Sequence, residues 1–232
     1  MKRLNEAEQA YRANQFDRTE ELCNSVIKEH PDKPDVAEAF YLRGLARLRG
    51  NQAEGAMRDF ETAINKTKRR ELRGLAHAQL ANINFEKDRY QQAIVHYGWA
   101  RDDLPNEPPK DRVLLQYGIA LQRLGRFRDA QPILGEVFKR FPQSSHAADA
   151  RRRHAWPHEF FTIQCGAFSD IARAHQHAAR LQSQSVSAVA VPEGEGTSRL
   201  YHVRVGRYPN YLQAQGALPN ARRAQPDAYI LP

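Results

Sequence analysis

The first two thirds of the chain carry small and apolar residues in a pattern that returns every 37 residues. Two small positions and one larger apolar position mark each unit: Ala7, Gly44, Ala81, Gly118; Thr19, Ala56, Ala93, Ala130; Cys23, Phe60, Tyr97, Leu134. The small positions allow two helices to approach closely, and apolar residues four apart lie on one helix face. Each unit therefore predicts a helical hairpin, and stacked hairpins bury one another's apolar faces.

Turn signals and prolines divide these units. Glycine or polar residues predict the turn within each hairpin near Asn14, Gly50-Asn51, Lys87-Asp88 and Gly125. A proline ends the second helix of three units, at Pro31, Pro105 and Pro142. The first unit is too short for a full first helix, so we expect that the natural protein extends beyond this N-terminus.

The repeated positions resemble the tetratricopeptide repeat over residues 1–142. The resemblance implies an all-α helical-hairpin solenoid that binds a peptide or protein partner in the groove lined by the first helix of each unit. By register, four residues are expected in that groove: Tyr41, Asn82, Arg112 and Arg123. The alternative is that these four are ordinary surface residues.

From residue 158 the pattern changes to strand-like alternation. It predicts strands over 160–168, 186–191, 200–206 and 227–231, and helices over 171–184 and 210–224, the second interrupted by Pro219. Residues 193–198 are predicted to form a turn segment. Gly166-Ala-Phe and Gly206-Arg-Tyr mark two equivalent corners, so the βαββαβ order predicts an α+β ferredoxin-like sandwich with both helices on one face of an antiparallel sheet.

Strand parity assigns the side chains of this module to two faces. The helix side receives Ile163, Cys165, Val203, Val205, Ala228 and Ile230, and the open face receives Thr162, Gln164, His202, Arg204 and Tyr229. Amide, guanidinium, imidazole and phenol groups suit a flat polar polymer, because they hydrogen-bond hydroxyls and carboxylates and pack on sugars or bases. The alternative is that these groups only solvate the sheet.

Residues 161–169 and 201–208, with Ala228-Tyr-Ile-Leu, resemble the SPOR (sporulation-related repeat) domain over residues 158–232. The resemblance implies binding of septal peptidoglycan, with a preference for glycan strands stripped of stem peptides, through the open sheet face. Carried over to this sequence, it implies contacts at Gln164, Ala167, Phe168, Ser169, Arg204, Arg207 and Tyr208, to which parity adds His202 and Tyr229.

These patterns predict a multidomain chain with repeats at 1–142, a capping helix and linker at 143–157, and a SPOR-like domain at 158–232. The formal charge of +8 predicts weak attraction to polyanions. Arg151–Arg153 are interpreted as a solvated helix face, with polyanion contact as the alternative. The only two cysteines, Cys23 and Cys165, exclude a disulfide framework and are expected to be buried and inert.

The sequence contains no common catalytic or phosphate-binding motif, so we expect no enzymatic activity, no cofactor and no metal site. The leading hypothesis is a non-catalytic cell-envelope adaptor that holds glycan in one domain and a protein partner in the other. The alternatives are an RNA-binding module on an RRM-like sheet and a purely structural assembly scaffold; nucleic acid is the less favoured partner.

Location depends on what precedes the chain. It has no apolar run long enough to span a bilayer and no secretion signal after Met1-Lys2-Arg3. We therefore expect a periplasmic or envelope location if an export signal or anchor is missing from this sequence, and a cytoplasmic one otherwise.

Overall fold

The computed structural model describes residues 2–33, 35–194 and 199–232. Residues 195–198 of the predicted turn segment therefore lie outside the described residues. The chain divides into two compact units, the first made of residues up to Ala120 with Lys139–His146, the second of Leu121–Phe138 with Ala147–Pro232. The domain boundaries expected after residues 142 and 157 stay predictions.

Eight helices account for the repeats. They are α1 (Lys2–Arg12), α2 (Phe16–Glu29), α3 (Val36–Arg49), α4 (Ala53–Lys66), α5 (Arg70–Glu86), α6 (Tyr90–Asp103), α7 (Lys110–Arg123) and α8 (Phe127–Arg140). The turn within each hairpin places one residue in the left-handed region, at Asn14 (φ 58°), Asn51 (58°), Asp88 (56°) and Gly125 (83°). Asparagine, aspartate and glycine tolerate this conformation best, and these positions confirm the four predicted turns.

The repeated small and apolar positions lie inside the array. Cys23 and Phe60 are fully buried, and Tyr97 is 1% exposed. Gly44 is required beside Phe60, because a Cβ atom there would lie 2.7 Å from the phenyl ring. Burial raises the pKa of Cys23 to about 12, as expected for an inert thiol.

An ion network joins three helices of the first two repeats. Asp59 on α4 is 2% exposed, and its carboxylate accepts hydrogen bonds from Arg43 Nε (3.0 Å) and Arg47 Nη1 (2.9 Å), both on α3. Arg47 Nε also donates to Glu20 on α2 (2.8 Å). The charges therefore connect neighbouring hairpins through hydrogen-bonded ion pairs.

The second unit contains a short helix, a sheet and two further helices. These elements are α9 (Ala147–His154), β1 (Phe161–Phe168), α10 (Ile171–Ser183), β2 (Ala188–Glu193), β3 (Leu200–Tyr208), α11 (Tyr211–Ala224) and β4 (Tyr229–Leu231). The strands are antiparallel in the order β2-β3-β1-β4, which confirms the predicted βαββαβ sandwich. Asp170 and Asn210 cap α10 and α11 by accepting from the backbone N–H groups three residues later.

The observed elements differ from the predicted ones at two prolines. Strand β2 runs through Pro192 to Glu193 instead of ending at the proline, which an edge strand tolerates because one row of its N–H groups is unpaired. Helix α11 continues through Pro219, so the predicted interruption is wrong. Pro219 is exposed, so water can satisfy the carbonyl group that loses its intrahelical donor.

The core of the sandwich confirms the predicted parity. Ile163, Cys165 and Val203 pack with residues of both α10 and α11 in one buried cluster. Ile230 packs against the same cluster, as expected for the helix side. The alternating positions therefore lie on the helix-free face of the sheet.

Helix α8 up to Phe138 and the turn before it belong to the same unit as the sheet. Phe127 of α8, Phe161 of β1 and Ala214 of α11 form a second buried cluster. The turn approaches the 209–210 corner so closely that a Cβ atom on Gly125 would lie 2.2 Å from the Pro209 carbonyl oxygen. Helix α9 packs on α8, where His154 lies 3.5 Å from the Cβ position of Gly135.

Candidate functional site

Polar side chains occupy the helix-free face of the two central strands. Gln164 of β1 lies opposite Arg204 of β3 in the strand register. Thr162, Gln164 and Arg204 are only 2%, 4% and 7% exposed. The sequence predicted an open polar face here, and the structure corrects that expectation, because these groups are buried.

The buried groups satisfy one another through hydrogen bonds. Arg204 Nε donates to Gln164 Oε1 (3.1 Å), and Gln164 Nε2 donates to the Gly166 carbonyl (2.6 Å) and faces His202 Nδ1 (2.7 Å). Arg204 also pairs with the Glu193 carboxylate at the end of β2. The network fixes the side chains of the central strands and compensates the charge of Arg204, as buried polar groups require.

An aromatic segment between α9 and β1 explains the burial. The Arg204 guanidinium carbon lies 5.4 Å from the centre of the Trp156 ring, and the Arg207 guanidinium carbon lies 5.3 Å from that of Phe160. His158 stacks on Phe160 at 4.7 Å, and Trp156 Nε1 donates to the Phe160 carbonyl (3.1 Å). We call Trp156–Phe160 the aromatic strap. Cation–π contacts hold it against the helix-free face.

The strap and strands β1, β2 and β3 border a cleft of about 340 Å³. Its lining combines apolar side chains with polar and cationic ones: His158, Phe160, Thr162, Ser187, Val189, Val191, Arg204, Gly206 and Arg207. Val189 is 55% exposed and lies beside Arg204 in the strand register, so the cleft has an apolar wall next to a guanidinium group. Such a lining can pack against the C–H face of a sugar ring while donors meet its hydroxyl or carboxylate groups.

The two histidines of this face are held neutral. Burial lowers the pKa of His202, and the charge of Arg204 lowers it further, against the opposing effect of Glu193. Burial also lowers the pKa of His158, again with the help of Arg204. A neutral imidazole has one donor and one acceptor nitrogen, which suits exchange of hydrogen bonds with hydroxyl groups.

The two corner aromatics turn toward the core. The ring of Phe168 folds back over Gly166, where a Cβ atom would lie 2.9 Å from it, and the ring of Tyr208 folds over Gly206, at 2.4 Å. Both rings pack against the helix-side cluster. The Gly-x-aromatic motif is thus a packing unit, since only glycine leaves room for the ring two residues later.

The remaining expected glycan contacts lie nearer to solvent. Ala167 and Ser169 are exposed at the first corner, and Arg207 is exposed beside the cleft. Tyr229 is 51% exposed on β4, opposite Gln164 in the register. The structure therefore brings Gln164, His202 and Arg204 together and leaves Arg207 and Tyr229 accessible.

The four expected groove residues have different surroundings. Tyr41 packs on Phe60, and burial raises its pKa to about 12. Asn82 Oδ1 accepts from the Tyr97 hydroxyl (2.8 Å), which ties α5 to α6, whereas Arg112 is exposed on α7. The Arg123 guanidinium lies in the second unit, 4.2 Å from the centre of the Tyr211 ring.

Comparison with known proteins agrees with this architecture. The SPOR domain model matches residues 157–232. This chain contains a SPOR domain. A tetratricopeptide repeat model matches residues 112–144, and both families are non-catalytic binding families. SPOR domains occur in cell-envelope proteins and suggest peptidoglycan binding, and tetratricopeptide repeats suggest protein interaction. In the described residues, no helix is both long and apolar enough to cross a membrane.

Solved structures share the fold at low sequence identity. The chain is similar to YrrB, described as a TPR protein with an unusual peptide-binding site, with a TM-score of 0.54, 15% identity and coverage of 97% of this chain and 86% of that chain. It is also similar to MamA, with a TM-score of 0.50, 14% identity and coverage of 64% and 90%. No curated protein sequence gives a significant match.

Sequence reasoning missed the residues that shape the cleft beside the SPOR sheet. The sequence pattern predicts a linker at Trp156 and the start of a strand at Phe160, whereas both residues lie in the strap. Glu193 was placed in a turn, although it pairs with Arg204. The one available signal was the density of aromatic and histidine residues over 156–161 in a segment expected to be a plain connection.

Proposed function

We propose that the chain is a non-catalytic cell-envelope adaptor. Its SPOR domain binds glycan strands of septal peptidoglycan that lack stem peptides, and its repeats bind a protein partner. The protein acts in the periplasm or elsewhere in the cell envelope.

The observation that carries the glycan proposal is the cleft between the aromatic strap and the sheet. Phe160 and Val189 supply apolar walls, and Arg207 supplies an exposed cation at the rim. The glycan backbone alternates apolar ring faces with hydroxyl, amide and carboxylate groups, and each finds a matching surface here. Removal of stem peptides uncovers that backbone, which explains the expected preference for denuded strands.

The face does not resemble an aromatic RNA-stacking platform. The helix-free positions of β1 and β3 carry Thr162, Gln164, His202 and Arg204, without a phenylalanine, tyrosine or tryptophan. Base stacking on central-strand aromatics is what an RRM requires. Glu193 also compensates the Arg204 charge, so the observations favour the glycan over RNA.

The repeat array supports a protein partner through its similarity to a peptide-binding tetratricopeptide protein. Arg112 of α7 is exposed and available to such a partner. We place the partner site on the first helices of the units, in line with the expected groove.

Retention on isolated peptidoglycan sacculi tests the glycan proposal. We expect the full chain to sediment with amidase-treated sacculi at least tenfold more than with untreated ones. Arg207→Ala combined with Tyr229→Ala should reduce this retention about tenfold, since the exposed cation and ring are lost while the buried network is kept.

The matched control is Arg58→Ala, which removes an exposed arginine from α4 of the array. This variant should sediment with amidase-treated sacculi as strongly as the wild type does. Equal sedimentation with treated and untreated sacculi, or equal losses in the control and the double variant, would contradict the proposed site.

A further inference from the structure

The two helices of the SPOR domain contain no aspartate or glutamate. Their cationic residues are all arginines: Arg173 and Arg180 on α10, and Arg222 and Arg223 on α11. Helix α10 also carries two histidines, His175 and His177. We call the outer surface of these two helices the basic helix layer.

The hydrogen bonds of these arginines leave their charge uncompensated. Arg180 Nη2 donates to Gln225 Oε1 (3.1 Å), Arg222 Nε donates to the Ala228 carbonyl (2.9 Å) and Arg223 Nη2 donates to Asn220 Oδ1 (2.9 Å). All three acceptors are neutral. Within the described part of the chain, none of the four arginines forms an ion pair with a carboxylate, so the layer presents a net positive field.

Part of this layer is concave. A cavity of about 440 Å³ beside α10 is lined by Phe168, Arg173, Gln176, His177 and Arg180. Arg173 and Arg180 are two helical turns apart on one side of α10, so both guanidinium groups border it. His177 Nε2 lies 3.2 Å from the Cys165 carbonyl and its ring 5.2 Å from Phe168, which fixes the floor between the two cations.

The layer also exposes apolar surface next to its charge. Leu212 of α11 is 48% exposed. It stands eleven residues before Arg223, which places both on the side of α11 away from buried Ala214 and Ala221. An apolar side chain beside cations is typical of surfaces that lie in a membrane interface, where the apolar group inserts and the cations meet headgroups.

We propose that the basic helix layer is a second binding surface of the SPOR domain, and that its ligand is a bilayer surface of anionic phospholipids. Phosphodiester headgroups match the guanidinium groups in charge and geometry. The helices and the glycan cleft lie on opposite faces of one sheet, so both ligands can bind at the same time. This inference goes beyond the proposed function, because it joins the membrane surface to the glycan.

Co-sedimentation with vesicles tests this surface. The full chain should bind vesicles that contain phosphatidylglycerol in phosphatidylcholine and lose binding when salt screens the charge, but it should not bind phosphatidylcholine alone. One cation at an anionic bilayer surface favours partitioning roughly fivefold. Arg173→Gln with Arg223→Gln should therefore lower partitioning by about 25-fold.

The matched control carries Arg18→Gln with Arg58→Gln, which removes two exposed arginines from α2 and α4. It should keep its vesicle binding. The same loss in both double variants would overturn the proposal, since net charge alone would then explain it. Equal binding to both vesicle types, or tighter binding to a single-stranded RNA than to anionic vesicles, would overturn it as well.

The sacculus assay separates this proposal from the glycan proposal. Arg173→Gln with Arg223→Gln should lose vesicle binding and keep full retention on amidase-treated sacculi. A parallel loss of both would show that the variant is misfolded or that the surface is not a separate one; far-UV circular dichroism distinguishes the two. A folded variant that loses both ligands would refute the second surface.

Discussion

The repeat array and the SPOR domain use arginine in opposite ways. In the array, arginines pair with carboxylates of neighbouring helices, as in Arg3–Glu29, Arg43–Asp59, Arg47–Glu20, Arg69–Glu38, Arg70–Asp103 and Arg73–Asp103. In the SPOR domain, Arg180, Arg222 and Arg223 donate to neutral partners, and Arg204 on the sheet is paired with Glu193. Cations therefore join helices in one region and remain available to a ligand in the other.

The difference follows from what each region must hold together. A helical hairpin touches only its neighbours, so ion pairs within a hairpin, as in Arg43–Asp59, and between hairpins, as in Arg47–Glu20, help to fix the packing of the repeats. The sandwich has its own apolar core from Ile163 to Ala228, and its helices need no charged cross-links. Among the described residues, the arginines on the outer side of these helices form no ion pair that joins one helix to another. This is the physical basis for assigning their charge to binding.

The largest expected effect is in the array. Asp59→Ala leaves the guanidinium groups of Arg43 and Arg47 without their buried carboxylate, and we expect a loss of about 3 kcal/mol in the free energy of unfolding. Urea denaturation followed by circular dichroism measures it. Asp129→Ala is the control, because its ion pair with Arg126 is exposed and should contribute less than about 1 kcal/mol. Similar losses for both would show that Asp59 does not join the helices.

A smaller effect is expected where the last hairpin turn meets the sandwich. Gly125→Ala combines a positive φ with a Cβ atom 2.2 Å from the Pro209 oxygen, and we expect destabilisation of about 2 kcal/mol. Gly216→Ala is the control, since nothing lies within 4 Å of its Cβ position and alanine favours the helix. Unchanged thermal unfolding of Gly125→Ala would contradict the close contact.

The smallest expected effect is a loss of folding stability at acid pH. Burial and, to a smaller extent, the neighbouring His96, whose Nδ1 lies 3.1 Å from that of His77, together lower the pKa of His77 to about 4. Between pH 6.5 and 4 the unfolded chain binds a proton that folded His77 does not, so stability falls as pH falls.

From pH 7 to 5, the wild type should lose about 1 kcal/mol more than His77→Gln, after allowance for screening by solvent. Denaturation midpoints at the two pH values provide the measurement. His175→Gln, an exposed histidine on α10, should follow the wild type. If His77→Gln shows the same pH dependence as the wild type, His77 is not the source of acid sensitivity in the array.

Local patterns predicted the elements, and long-range packing decided the site. The turns at Asn14 and Gly125 and the parity of Ile163 and Gln164 follow from periodicity, which depends on neighbours in sequence. The covering of Arg204 by Trp156 does not, because it joins residues 48 positions apart across a sheet. Strict alternation also places Phe168 on the helix-free face with Gln164, whereas a register shift between Gln164 and Gly166 puts its ring on the helix side.

The turn at Gly125 has a consequence for how such chains can change in length. The equivalent turns at Asn14, Asn51 and Asp88 carry side chains, whereas a methyl group at Gly125 would strike the Pro209 carbonyl. A gene duplication or loss within the first three hairpins can leave this junction untouched. In any such rearrangement the turn at Gly125 and the SPOR segment that holds Pro209 would have to be kept together to preserve the contact.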